Sequence, residues 1–227
     1  MFPEIVSNSF FEDKNRVKVE RGKLIVFMNE IPRHGYLIVK GTARLYNTDS
    51  EGSEKTIAYM GQGDILSVEF LIGHAKSALY FCESVTEMEL IRFSCSDFQK
   101  EIETNLELVQ SMLKTISLGY FGSLAHIEAL IQNKAQEKIV QLLRYLVLRF
   151  GKQVDDDWIA VNIRLTQSDL SEMLGITRET VAVELGKLKK AEIIDHRSFT
   201  YKVNLKALAD LVDESLWSTF RSVSDAS

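Results

Sequence analysis

The sequence has 227 residues, of which 45% are hydrophobic and 26% charged, and this length and composition predict a globular protein with two domains. The formal net charge is −5, from 27 basic and 32 acidic residues, which argues against a protein that coats nucleic acid through bulk positive charge. Two cysteines, Cys82 and Cys95, are too few for a disulfide framework or a four-cysteine zinc site. We therefore expect a reducing, cytoplasmic environment.

Membrane insertion and export are also not expected from the sequence. Residues 1–9 have no basic start followed by a long apolar run, and no other stretch approaches the ~20 apolar residues of a membrane-spanning helix.

The first part of the chain, from about residue 17 to 93, consists of short β-type runs separated by turn residues. The runs lie at residues 24–28, 36–46, 55–60, 78–82 and 88–93, and polar or glycine-rich turns occupy residues 49–52 and 61–64. This alternation of short strands and turns predicts a small antiparallel β-roll or barrel.

A helical pattern begins near Ser96, which with Gln99 resembles a capping box, and it predicts a short helix followed by a long one. Along the long helix, residues recur in steps of three and four; they are Leu106, Val109, Leu113, Ile116, Tyr120, Ser123, Ile127 and Leu130. Such spacing is typical of a helix that pairs with another helix and predicts a homodimer. Packing of the helix against its own β-roll is the alternative. Gly119 and Gly122 within it suggest close approach of a neighbour.

A polar break at residues 132–134 predicts a hinge before an amphipathic helix at 135–150. Residues 151–157 are expected to form an acidic loop, and residues 158–165 are strand-like. We expect residues 193–203 to form a β-hairpin wing, and Asn204 to start a last helix that continues to about Trp217, before a frayed tail from Ser222.

The stretch from 166 to 191 predicts two short helices joined by a tight turn. Thr166 and Asp169 form a capping-box start, Gly175 is suited to the turn, and Thr177 is suited to cap the second helix. Leu170, Met173 and Leu174 share one face of the first helix. An ordinary α-hairpin is one interpretation. The small residues at the crossing and turn favour a helix-turn-helix that binds DNA.

The second helix of this motif has side chains suited to the major groove. Arg178 can contact guanine, Glu179 can accept a hydrogen bond from cytosine, and Thr180 lies on the same outward face. The predicted phosphate contacts are Thr166, Gln167, Ser168, Thr177, Lys187, Arg197 and Ser198. We therefore divide the chain into a β-roll sensor domain at 1–104, a dimerisation helix and hinge at 105–132, and a DNA-binding domain at 133–227.

The order of these motifs resembles the Crp/Fnr family of bacterial transcription regulators over nearly the whole chain. The matching segments are LIVKGTARLY, DSEG and GQGDIL in the first part, and LTQSDLSEMLGITRETVAVELGKLKKAEII in the second. The resemblance implies an α+β fold with an N-terminal jelly roll, a long dimerisation helix and a C-terminal winged helix-turn-helix. It also implies a palindromic operator in double-stranded DNA, and RNA polymerase as a partner.

The resemblance is incomplete at the effector site. The family's cyclic-nucleotide cassette has Gly-Glu followed by Arg-Ser or Arg-Thr. In this chain no glycine precedes Glu69, and Lys76-Ser77 stands where Arg-Ser or Arg-Thr would be. Lysine cannot reproduce the two-pronged contact of a guanidinium with phosphate. We expect an effector pocket, lined by Glu69, Lys76, Ser77, Tyr80, Ser123 and Leu124, that takes a small anionic or aromatic metabolite.

A second departure concerns base recognition. The family has an arginine one turn after the Arg-Glu pair, and this chain has Val183, which can contact a thymine methyl group and cannot hydrogen-bond to guanine. We therefore expect an operator that differs from the usual half-site of the family.

No cofactor is expected. Two cysteines cannot supply the four ligands of an Fe–S cluster, and His34, His74 and His126 lack the spacing of metal or haem ligands. Cys82 and Cys95 are expected to be core thiols, with a redox switch as the alternative. The competing functions are a constitutive DNA-binding protein with a vestigial pocket and a cupin-like enzyme. The enzyme would require clustered histidines and carboxylates that the β-roll does not contain.

Overall fold

The structure, a computed structural model, describes residues 4–197 and 200–211. The chain divides into two compact units between Ser117 and Leu118. Both units combine helices with antiparallel sheet, so the predicted α+β class is confirmed. The division at residues 104 and 132 stays a prediction.

The first unit begins with two short 3-10 helices and continues as a two-sheet β-roll. Its elements are β1 (Asn15–Val19), β2 (Leu24–Val26), β3 (His34–Lys40), β4 (Ala43–Thr48), β5 (Glu54–Met60), β6 (Ile65–Leu66), α1 (Val68–Leu71), β7 (Phe81–Ser84) and β8 (Met88–Ser94). One sheet has the order β1-β8-β3-β6 and the other β2-β7-β4-β5. All their pairings are antiparallel, as expected.

Several strand limits differ from the prediction. The run at 36–46 is two strands that turn at Gly41, where φ is +93° and a side chain would collide with the carbonyl oxygen of Glu87. The run at 24–28 is shorter than predicted: β2 ends at Val26, and its register with β7 shifts between Leu24 and Val26. The strand expected at 78–82 begins only at Phe81.

The core of the first unit has two parts. Between the sheets lie small and branched side chains, among them Ile38, Cys82 and Leu90. A second cluster, rich in aromatic rings, includes Phe93 and Phe98, whose centroids are 5.0 Å apart. The edge and tilted ring arrangements add to the stabilisation from burial.

Two helices follow β8, namely α2 (Cys95–Thr104) and α3 (Leu106–Ile131). The predicted cap at Ser96 was wrong. The N-cap is Ser94, whose hydroxyl accepts from the amide of Asp97, because β8 ends there and the helix begins without a loop. The long helix has the predicted extent and crosses the division between the units.

The second unit contains the rest of α3, α4 (Ala135–Phe150), α5 (Gln167–Leu174), α6 (Arg178–Lys190) and α7 (Leu205–Ala209). Its sheet has the order β11-β12-β10-β9, built from β9 (Gly151–Gln153), β10 (Trp158–Val161), β11 (Ile194–Arg197) and β12 (Thr200–Asn204). The polar break before α4 and the limits of α4 are as predicted. The side chain of Arg149 packs directly over Gly122, while the space around Gly119 is open.

Two predictions for the second unit were wrong. Residues 151–153 were expected in a loop and form strand β9, which pairs with β10 although its side chains are exposed. Asn204 caps α7 as predicted, by accepting from Ala207, but the helix ends at Ala209. The expected end near Trp217 and the tail from Ser222 lie outside the described residues.

Candidate DNA-binding surface and effector pocket

The first helix of the helix-turn-helix, α5, begins at a complete capping box. The hydroxyl of Thr166 accepts from the amide of Asp169 at 3.1 Å, and the carboxylate of Asp169 accepts from the amide of Thr166 at 2.6 Å. Two of the amides that every helix start leaves without an internal partner are therefore satisfied. Leu170, Met173 and Leu174 are buried, as expected.

The turn between α5 and α6 is set by Gly175. Its φ of +62° is in the left-handed region, which glycine adopts without steric cost. The amide of Ile176 then donates to the carbonyl of Ser171 at 3.2 Å. Thr177 starts α6 by accepting from the amide of Thr180 at 3.2 Å, and both predicted caps are confirmed.

Helix α6 has a buried face and an exposed face. Val181, Leu185 and Leu188 are buried, as predicted. Arg178 and Glu179 are exposed in the first turn, and neither side chain makes a hydrogen bond or ion pair with any other described residue. These two charged groups are free to bind a partner.

The predicted phosphate contacts are at the ends of the same motif. Gln167 is half-buried and Ser168 exposed at the start of α5, beside the Thr166 cap. Thr177 is exposed at the start of α6. Arg197 ends β11, and Ser198 lies outside the described residues. Whether these residues contact phosphate stays a prediction.

Lys187 has an intramolecular partner that the sequence analysis missed. Its ammonium donates to Glu184 at 2.6 Å, and Glu184 is buried although it is acidic. The second carboxylate oxygen of Glu184 has no hydrogen-bond partner. An acidic residue on the apolar side of the helix, with a lysine three positions later, was the available signal.

Lys189 connects α6 to the wing. Its ammonium lies 3.4 Å from the carboxylate of Asp195 and donates to the carbonyl of His196 at 3.3 Å. These contacts bring the first wing strand against the end of α6. No local pattern in the sequence predicts them.

Helix α3 presents two different apolar faces. Leu108 and Met112 pack into the aromatic core of the first unit, so the alternative of packing on the β-roll is true for one face. We call the apolar residues that were predicted to recur in steps of three and four along this helix the α3 seam. It is largely exposed, with Leu106 68%, Leu113 58% and Tyr120 61% exposed. Ile116, Ile127 and Leu130 are also exposed, and Val109 is half-buried.

Within the second unit, α3 is tied to the helix-turn-helix and to α4. His126 lies against the ring of Tyr145, and its Nε2 donates to the carbonyl of Met173 at 3.0 Å. Arg144, 5% exposed at its side chain, donates to Glu128 at 2.5 Å. His126 is therefore a satisfied packing residue, whereas His34 and His74 are at the surface. The partners lie far apart in the sequence, so no local pattern could predict these contacts.

The residues predicted for the effector pocket lie in separate segments. Glu69 is half-buried in α1, while Lys76 is exposed in the following loop, where Ser77 and Tyr80 are half-buried. Glu69 and Lys76 form no ion pair with each other or with any other residue in the described ranges. Ser123 and Leu124 are exposed on α3, where the Ser123 hydroxyl donates to the Gly119 carbonyl at 3.0 Å. The pocket stays a prediction.

The two cysteines are unsuited to thiol chemistry. Both are buried, and burial raises the pKa of Cys82 to about 12 and also raises the pKa of Cys95. The thiol of Cys95 donates to the carbonyl of Pro32 at 3.3 Å. Since the reactive form is the thiolate, these environments favour the core interpretation over a redox switch.

Among the residues that the structure describes, no group of three or more histidine, cysteine or acidic residues is arranged to hold a metal ion. No described helix is long and apolar enough to cross a membrane.

Two domain families match the chain. A cyclic nucleotide-binding domain matches residues 16–105, and a Crp-like helix-turn-helix domain matches residues 137–212. The two matches cover the β-roll and the helix-turn-helix and leave the whole of α3 between them.

Similar proteins are transcription regulators. The global nitrogen regulator of Synechococcus elongatus is 28% identical over 176 residues, which are 77% of this chain and 79% of that protein. The HTH-type transcriptional regulator ArcR of Staphylococcus epidermidis is 22% identical over 184 residues, covering 81% and 79% of the two chains.

Solved structures share the fold. FixK2 from Bradyrhizobium japonicum has a TM-score of 0.70 at 18% identity, covering 88% of this chain and 98% of that one. A CooA mutant from Carboxydothermus hydrogenoformans has a TM-score of 0.68 at 19% identity, covering 93% and 95%. The jelly roll, long helix and helix-turn-helix therefore occur together in known structures.

Proposed function

This chain belongs to the Crp/Fnr family of DNA-binding transcription regulators, and we propose that it acts as a homodimer on a palindromic operator under the control of a small effector. The observation that carries this proposal is the exposed face of α6. Arg178 and Glu179 project from the first turn of a helix-turn-helix, and their side chains have no partner among the described residues. This is the position where recognition helices contact base edges.

Arg178 and Glu179 would supply sequence preference. A guanidinium donates two hydrogen bonds to guanine O6 and N7, and a carboxylate accepts from cytosine N4. Thr166, Gln167, Ser168, Thr177, Lys187, Arg197 and Ser198 would hold phosphates, which position the domain without distinguishing bases. Two copies related by a two-fold axis require an inverted repeat with roughly 10 base pairs between half-site centres.

The α3 seam supports the homodimer. Its exposed leucine, isoleucine and tyrosine side chains form one stripe on a helix whose opposite face is already packed. Burying such a stripe against a second copy removes apolar surface from water, the main favourable term in protein association. The dimer would act in the cytoplasm on chromosomal DNA, through RNA polymerase.

The test is selection of binding sites from random DNA by the full-length protein, followed by the same selection with Arg178→Ala. We expect an inverted repeat for the native chain. The variant should lose about 1–3 kcal/mol of discrimination at one symmetric pair of positions. Selection of no palindrome, or an unchanged preference in the variant, would contradict the proposal.

The effector is proposed to be a small anionic or aromatic metabolite rather than a cyclic nucleotide. Lys76 offers a single exposed ammonium where a nucleotide phosphate would need a two-pronged donor. Although the regulator of Haemophilus influenzae, 21% identical, is named cAMP-activated, we expect calorimetric titration of this protein with cyclic AMP and cyclic GMP to show no micromolar binding. Binding of either nucleotide at that level would contradict the proposal.

Constitutive DNA binding with a vestigial pocket is the second candidate. It is favoured by Glu69 and Lys76, which lie in separate segments and form no ion pair with any residue that the structure describes. A gel-shift experiment with and without small-molecule cell extract distinguishes the two. Extract should change the affinity of an effector-controlled protein and leave that of a constitutive one unchanged.

A further inference from the structure

The middle of the exposed face of α6 carries small apolar side chains. Val183 is 56% exposed, and Ala182 and Gly186 beside it are partly exposed. Ala182 and Val183 lie one helical turn after Arg178 and Glu179, and Gly186 lies a further turn on, on the same side of the helix. The surface therefore changes from charged groups in the first turn to small apolar residues in the next two turns, and we call Ala182, Val183 and Gly186 the α6 patch.

Packing within the chain does not explain the α6 patch. The neighbours Val181 and Leu185 are fully buried and supply the core contacts of this part of the helix. A Cβ atom added to Gly186 would meet no other atom within 4 Å. Glycine is unfavourable in a helix interior compared with alanine. Contacts among the described residues therefore do not explain why a residue without a side chain occupies position 186.

A major-groove surface does account for it. Thymine is the base that presents an apolar group there, the C5-methyl, and apolar side chains pack against it. A valine with no polar atom cannot satisfy the donors and acceptors of the other base edges. Small residues at 182 and 186 leave room for the helix to approach the base edges closely.

We propose that Val183, flanked by Ala182 and Gly186, contacts the C5-methyl of one thymine in each operator half-site and so determines specificity for a T·A pair. This proposal rests on the proposed function, because it takes α6 as the helix that enters the major groove. It assigns recognition at this base pair to a single methyl group.

The experiment uses the full-length protein and the operator it selects, with each thymine replaced in turn by deoxyuridine, which lacks only the methyl group. Loss of the methyl group should matter at one symmetric pair of positions. Affinity should fall there by about fourfold per half-site, the change expected when one methyl-sized apolar group is no longer buried. Cytosine at that position should weaken binding, and 5-methylcytosine should recover about the same fourfold.

The protein side of the contact is tested with Val183→Ala, which shortens an exposed side chain. The variant should bind the thymine and deoxyuridine operators with nearly equal affinity. Val154→Ala is the matched control, because Val154 is also about half exposed but lies outside α6. The control should retain the fourfold difference.

The outcomes separate the two proposals. If the protein selects a palindrome but no thymine is sensitive, or if Val183→Ala retains the difference, the methyl contact is wrong while the proposed function stands. If no preferred sequence is selected, the proposed function itself fails. A sensitive thymine that becomes insensitive only in Val183→Ala supports the contact.

Discussion

Helices α3 and α6 both leave one face uncovered by the described chain, but the chemistry of the two faces differs. The α3 seam is rich in leucine, isoleucine and tyrosine, whereas α6 exposes Arg178, Glu179 and the small α6 patch. A large apolar stripe is stabilised by burial against another apolar surface. Unpaired charges beside small residues suit a partner with directed hydrogen-bonding groups. The two helices are therefore suited to different partners, a second copy and DNA.

The largest effect is expected from placing charge in the α3 seam. In Leu113→Glu combined with Ile116→Glu, like charges would be buried against each other at the two-fold axis. Light scattering should then give one chain mass, 25.8 kDa, where the native protein gives twice that. Operator affinity should fall about 10²–10⁴-fold, because two linked half-site contacts become independent.

Lys100→Glu provides the control, since it changes the net charge by the same −2 at an exposed position of α2. This variant should remain a dimer. If the native protein is a monomer with an intact fold, or if the seam variant is still a dimer, the proposed role of α3 in dimerisation is wrong.

An intermediate effect is expected at Lys187, whose ammonium pairs with the buried carboxylate of Glu184 in the same helix. Lys187→Ala leaves the buried carboxylate of Glu184 without its ammonium partner and should lower the free energy of unfolding by about 1–2 kcal/mol, the cost of an unsatisfied buried group. The change is measured as a shift of the urea midpoint without a change of slope.

Adding Glu184→Gln to Lys187→Ala should recover most of this stability, because a neutral amide costs less to bury than an unpaired carboxylate. If Lys187 also holds a phosphate, the double variant should still bind all sequences more weakly. The salt dependence of its log affinity should then fall by about one per subunit. An unchanged salt slope would exclude the phosphate contact and leave a structural role.

The smallest effect is expected at Gly186, where one substitution should change the stability of the protein and its affinity for DNA in opposite directions. Gly186→Ala should raise the free energy of unfolding by about 1 kcal/mol, since alanine favours a helix interior and meets no neighbour here. Operator affinity should fall, because the added methyl occupies space next to the groove. Urea unfolding and fluorescence anisotropy measure the two quantities.

Gly119→Ala is the matched change on α3, at a glycine with equally open surroundings. It should raise stability by a similar amount. Once light scattering has shown that this variant is still a dimer, its operator affinity should equal that of the native protein. Equal affinity of both alanine variants and the native protein would show that the middle of α6 does not approach DNA closely.

Local signals explain why much of the helix-turn-helix could be predicted. The caps at Thr166 and Thr177 and the turn at Gly175 each depend on residues within five positions of one another. The cap of α2 shows the limit of this reasoning. Ser94 and Ser96 are both suitable cap residues, and the end of β8, a tertiary feature, selects Ser94.

Contacts between distant segments could not be predicted. Strand β9 has exposed side chains throughout and forms because β10 provides a partner. Arg144 in α4 pairs with Glu128 in α3, and the polar break lies between these two helices in the sequence. The sequence around either residue does not indicate that the other is its partner. The predicted effector residues could not be tested in the same way, since Glu69 lies in a helix and Lys76 in a loop, and neither side chain forms an ion pair with another described residue.

The exposure of Val183 has an evolutionary consequence. Its side chain projects away from the core that Val181 and Leu185 build, and substitutions at such surface positions usually change stability by less than about 0.5 kcal/mol. Under the proposed contact, a single codon change there would alter which promoters the protein recognises without impairing its folding. Regulatory networks built on this scaffold can then diverge by altering one exposed side chain, while the buried residues of the same helix stay fixed by selection for stability.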